Sequence, residues 1–208
     1  MYLSRDPSKV QQLLQWLEGS LGMGQQQLAA CSDLCKVLHL STDAVSAACL
    51  SLQQQQVPAG QVARMLLKQP AIFGFKPGVL SARIGALQHH LGLDAASAVE
   101  LAAAKPRLLT NNLEASLPPL LRFLEGYMGE EGAGRRLVRA QPTIAVLTAV
   151  AAERKIGSLA ARGHSQRQIQ KIISKEPIIL ALDLDSALQQ QKLDWIERVS
   201  PWTLASFL

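Results

Sequence analysis

Four prolines return along this chain at nearly constant intervals. Pro70, Pro106, Pro142 and Pro177 lie 36, 36 and 35 residues apart, and one further step of 35 back lands on Cys35. Each proline closes an apolar stretch of helical spacing and opens a short apolar run: Ile72-Phe73, Leu108-Leu109, Ile144 and Ile179-Leu180. Val37-Leu38 follows Cys35 in the same way. A second landmark keeps the same beat. Gly22, Gly92, Gly129 and Gly163 stand thirteen or fourteen residues before the turn position, and Gln56-Val57 is a degenerate copy. Twelve residues before each of these comes an apolar residue: Val10, Val45, Leu80, Leu117 and Ala151. A period of this length implies one supersecondary unit stacked repeatedly, each copy burying its apolar face against its neighbours.

The residue types say what the unit is. Leu80, Ile84, Leu87 and Leu91 recur at helical spacing, and Gly92 is placed to end that helix in the left-handed conformation. Asp94 or Ser97 can cap the helix that follows, as can Ser165 and Thr42 elsewhere. The second helix runs to the residue before proline, because the ring disfavours helix in its predecessor and removes a donor. The unit is thus helix, Gly turn, helix, Pro turn. No segment sustains period-2 alternation, so no sheet is expected. The fold class predicted is all-α: a right-handed-type α-solenoid of five to six helix-turn-helix units, curved into a half-ring. As one domain over 1–208, its units fall at about 7–41, 42–76, 77–112, 113–148, 149–185 and a partial 186–208. Val10, Leu80, Ile84, Leu87, Leu91, Leu117, Leu121 and Ile179 are expected to be buried between units.

Other classes of protein fit poorly. No apolar run approaches the length of a membrane span. The opening residues, Met1 to Pro7, lack an apolar signal region and leave little room for a transit peptide, so any targeting sequence is expected to have been removed. Cys31, Cys35 and His39 are spaced by four, as a metal site on one helix would require, but Cys35 sits at a turn position. Buried, reduced thiols are the reading for these and for Cys49. His89-His90 point apart on a helix, leaving one toward solvent. The sequence contains no HExxH, GxSxG or phosphate loop. Glu130-Glu131 and Asp183-x-Asp185 lie next to turns and read as helix caps. No enzyme activity, cofactor or metal is expected.

Charge carries the functional signal. The net +5 is uneven: residues 132–175 hold nine basic residues against the single acid Glu153, while residues 176–208 hold two against five. So basic a segment in an otherwise balanced chain is the footprint expected for a polyanion. Counting back six from each proline gives Arg64, Glu100, Arg136 and Lys171; counting back two gives Lys68 and Lys175. Equivalent positions of stacked repeats line up, so the five cations should form a column at intervals suited to phosphates, on the concave side. No acid is expected on that face in the third and fourth units. Arg135, Arg139, Arg162 and Arg167 flank the column as further nucleic-acid-binding candidates, while Arg154-Lys155 could face outward.

With the unit defined, the chain resembles a known family. The pattern of apolar helix, Leu-Gly, polar-start helix, Lys-Pro or Lys-x-Pro and apolar pair is similar to the mTERF repeat, named for mitochondrial transcription termination factors. Leu87 to Leu109, LQHHLGLDAASAVELAAAKPRLL, is a nearly complete copy, and the match runs from about residue 10 to 200. The resemblance implies an organellar protein, mitochondrial or alternatively of the chloroplast, whose groove lies along nucleic acid. It implies double-stranded DNA binding in transcription termination or regulation, with RNA binding, as to ribosomal RNA, as the alternative. A protein-interaction solenoid is the third class. The expected working unit is a monomer. Some members evert bases with aromatic and Arg side chains; here Phe75 and Tyr127 are the aromatics to consider, and Phe73 reads as core.

Overall fold

In the computed structural model of the chain, residues 6–29, 38–184, 186 and 191 are described, and all regular structure among them is helical. The α-helices are α1 (Pro7–Leu21), α2 (Gln25–Ala29), α3 (Thr42–Gln54), α4 (Ala59–Lys68), α5 (Pro77–Leu91), α6 (Ala95–Ala104), α7 (Leu113–Met128), α8 (Ala133–Ala140), α9 (Ala149–Ala161) and α10 (Gln166–Lys175). Each of the four prolines opens a 3-10 helix: η1 (Pro70–Gly74), η2 (Pro106–Thr110), η3 (Pro142–Val146) and η4 (Pro177–Ala181). A long helix, a shorter helix and a 3-10 turn therefore recur four times, giving the all-α repeat of a solenoid. The chain forms two compact units, Met1–Leu113 and Glu114–Leu208.

The proline turn is a more regular object than a bend. The four residues before proline, Gln69, Lys105, Gln141 and Glu176, share one non-helical conformation, with φ between −147° and −128° and ψ between 66° and 85°. All four are kept out of the α region, which a following proline disfavours in its predecessor. Proline then starts the 3-10 helix, where its fixed φ suits the first turn and its missing donor is not needed. The apolar pairs that follow plug the core. Ile72, Phe73, Leu108, Leu109, Ile144 and Ala145 are all buried. Within the first unit η1 packs on η2, and within the second η3 packs on η4.

The glycine landmarks end the long helices as expected. Gly92 adopts φ 60° and its N–H reaches back to the Gln88 carbonyl, while Gly22, Gly129 and Gly163 are also left-handed. The degenerate copy keeps the geometry without the glycine: Gln56 has φ 66°. Asp94 caps α6 by accepting from the Ser97 N–H at 2.7 Å, which holds its carboxyl below the usual range. Ser165 caps α10 in a reciprocal capping box with Gln168. At α3 the cap is Ser41, accepting from Ala44 N–H at 3.1 Å, and Thr42 is already inside the helix.

Leu80, Ile84, Leu87, Leu91, Leu117 and Leu121 are buried as predicted. Val10 and Ile179 are only half-buried. No described unit precedes α1, and Leu13, Leu17 and Leu21 carry its packing face instead. In η4 it is Leu180 rather than Ile179 that is fully covered. Cys49 is buried, which pushes its thiol up to about 12, whereas Cys31 and Cys35 lie outside the described residues.

Candidate nucleic-acid interface

The second helix of each unit has one buried stripe and, across from it, one exposed position. Eight and four residues before the proline stand Val62 and Leu66, Ala98 and Ala102, Gly134 and Val138, Ile169 and Ile173, all of them buried. The position between them, six before the proline, lies about half a turn away on a helix of 3.6 residues per turn. It is exposed in all four helices, where it is Arg64, Glu100, Arg136 and Lys171. Lys68 and Lys175 follow one turn later and are exposed as well. Burial of the opposite stripe is what orients these side chains.

Two grooves gather some of them. In the first unit, Gln61, Arg64 and Lys68 of α4 face Glu100, Ala103 and Ala104 of α6 across a groove of about 290 Å³. In the second unit, Ala133, Arg136, Leu137 and Ala140 of α8 line a groove of about 400 Å³ with Ser174 and Pro177. Met128 and Glu130 complete that groove. Lys171 does not line it. Together with Arg167 and Lys175 it occupies an exposed face of α10, at i, i+4 and i+8. Arg135 and Arg139 are exposed on α8, one residue before and three after the shared position, and Arg162 is half-buried at the end of α9.

Electrostatics alters the expected picture in two places. A carboxylate does reach the basic face of α8: Glu130 pairs with Arg136 at 2.7 Å, so it serves that arginine rather than capping α8. Sequence spacing hid this, because the loop between α7 and α8 turns back through the left-handed Gly129 and Gly132. The second change concerns Lys155, which does not face outward. It is buried, and its ammonium donates to the Leu182 carbonyl just past η4. Arg83 does the same in the first unit, donating to the Leu109 carbonyl at the end of η2. Arg83 stands 23 residues before Pro106 and Lys155 22 before Pro177, so a similar internal brace recurs on the first helix two repeats apart, within one residue of the same register. One of the nine cations of the basic segment is therefore structural.

The aromatic candidates are engaged. The Arg83 guanidinium lies 4.1 Å from the centre of the half-buried Phe75 ring. Tyr127 stacks with Phe123 at 6.3 Å, and partial burial raises its phenol above the usual range. The Tyr127 carbonyl accepts from the Gln170 side chain at 2.7 Å, tying α10 to the end of α7. Phe73 is core. Among the described residues no group of His, Cys, Asp and Glu could hold a metal ion, and no helix is long and apolar enough to cross a membrane.

No curated protein shows significant similarity to the chain. The mTERF family model matches it over residues 14–200, nearly the whole of the repeat array described above. On the recurring helix, helix and 3-10 turn, and on that match, the chain belongs to the mTERF family, a non-enzymatic family of nucleic-acid-binding proteins that are typically organellar.

Proposed function

We propose that this protein binds double-stranded DNA in an organelle, the mitochondrion, and there terminates or regulates transcription. The observation that supports it is the shared register of Arg64, Arg136 and Lys171, exposed at equivalent positions of α4, α8 and α10. In this reading those residues contact phosphates together with Lys68 and Lys175, while Arg135, Arg139, Arg162 and Arg167 add charge at the flanks. Phosphate contacts position a protein on nucleic acid without reading its sequence. The family's typically organellar setting supports an organelle as the compartment, and the +8 balance of residues 132–175, nine cations against one acid, supports attraction to a polyanion. The deciding experiment is competition between a duplex DNA and a structured RNA for the purified protein over a series of salt concentrations. Duplex DNA should compete better. If the RNA displaces the DNA at equal nucleotide concentration, the function moves to an RNA scaffold role on the same cations. Binding that ignores salt would remove both.

A further inference from the structure

The two grooves each carry one arginine at the shared register and one carboxylate, but they use the carboxylate differently. In the second unit Glu130 is held by Arg136. In the first, Glu100 lines the same groove as Arg64 and Lys68. Among the described residues, however, no ion pair joins Glu100 to either cation. Arg64 instead donates its Nε–H to the Gly60 carbonyl of its own helix at 3.3 Å. All three side chains are exposed, and Ala103 and Ala104 leave the floor beside Glu100 open. Glu100 also stands at the register that is basic in the other three second helices.

A carboxylate at that place repels phosphate, so it has to be matched by something else. An ionised carboxylate only accepts hydrogen bonds, and its partner must be a donor. In the major groove of a duplex the donors are the exocyclic amines of cytosine and adenine, the guanine amine lying in the minor groove. Cytosine offers its N4 amine without a neighbouring acceptor on the same base. Adenine sets its amine next to the N7 acceptor, which repels a carboxylate and suits an amide. We propose that Glu100 reads cytosine through its N4 amine while Arg64 and Lys68 hold the adjoining phosphates. The proposal rests on the nucleic-acid reading above, and it makes Glu100 a specificity-determining residue of that interface.

Fluorescence anisotropy with four probes tests it: a dG·dC duplex, a dA·dT duplex of equal length, oligo(rC) and oligo(rU). The wild-type protein should favour the cytosine-containing member of whichever pair it binds, by about fivefold or more. Glu100→Ala should erase the preference, chiefly by tightening binding to the member without cytosine. Glu100→Gln should move the duplex preference toward dA·dT, since an amide pairs with adenine N6 and N7. Salt-dependent binding with no base preference in the wild type, or a preference that survives Glu100→Ala, overturns the role of Glu100 and leaves phosphate binding standing. Absence of salt-dependent binding to all four probes overturns the interface itself. The DNA and RNA pairs separate the two sources of the same amine.

Discussion

Lys155 shows how much a single side chain's meaning depends on where its tip ends. Lys155 is buried and donates to the Leu182 carbonyl, as the half-buried Arg83 donates to that of Leu109. Leu109 is the penultimate residue of η2 and Leu182 stands just past η4, and each carbonyl accepts from a long cation on the first helix of the same repeat. Removing such a donor strands a part-buried acceptor. Lys155→Met keeps the bulk, so the expected cost is about 1–3 kcal/mol in urea unfolding, with the salt dependence of nucleic-acid binding unchanged. A cost near zero would mean that water serves the carbonyl equally well. Gln56 presents the opposite case, a residue tolerated where glycine is preferred. Its φ of 66° strains a side chain with a Cβ by an amount glycine does not feel. Gln56→Gly should raise stability by about 1 kcal/mol, read as a higher denaturation midpoint at constant slope.

The elements owe their positions to close approaches as much as to apolar surface. A Cβ built on Gly134 of α8 would lie 2.7 Å from the Leu121 carbonyl oxygen and 3.1 Å from its Cα on α7. The contact is backbone, so it cannot be relieved by turning a side chain. Gly134→Ala should cost about 1–3 kcal/mol, and because Arg135 and Arg136 ride on α8 it should weaken nucleic-acid binding too. Thermal melting with a parallel binding titration checks both parts; a stable variant that binds normally would show that α8 can move outward freely. On α5 the larger loss is expected from Leu87→Ala. Leu87 is fully buried, and deleting its side chain leaves a cavity, for about 2–5 kcal/mol in chemical denaturation. An effect under half a kcal/mol would mean the helix re-packs.

At the scale of the whole molecule the uneven charge sets what is measurable. Each phosphate contact releases counterions, giving a slope of about −0.9 in log affinity against log salt on duplex DNA. Lys171→Ala should reduce that slope by about one and weaken binding to all sequences alike. Lys9→Ala, in a segment of balanced charge, should leave the slope unchanged; Lys192 lies outside the described residues. Arg136→Ala should cost less affinity than Lys171→Ala, because Arg136 gives up its exposed partner Glu130 to bind, an exchange of about 0–1 kcal/mol. Equal losses at Lys9 and Lys171 would remove the basic segment as the centre of binding.

Much of this protein is legible in its residue order because its units are local. A proline every 35 or 36 residues, and a left-handed position thirteen or fourteen before it, constrain the backbone within a few bonds of themselves. Helix ends, turns and the buried stripe follow without knowledge of any distant contact. The exposed register of Arg64, Arg136 and Lys171 follows as well, since it is simply the side away from that stripe. What the order could not disclose depends on distances across the chain. Lys155 and Arg154 are adjacent cations on one helix, yet only the approach of the Leu182 carbonyl, 27 residues on, makes one of them internal. Glu130 reads as a cap until the loop folds it onto Arg136. Phe75 reads as available until Arg83 covers it. Backbone periodicity is enforced by short-range sterics and so is written in the sequence; the partner of a long polar side chain is decided by which segments packing brings within three or four ångströms, and only the tertiary structure contains that.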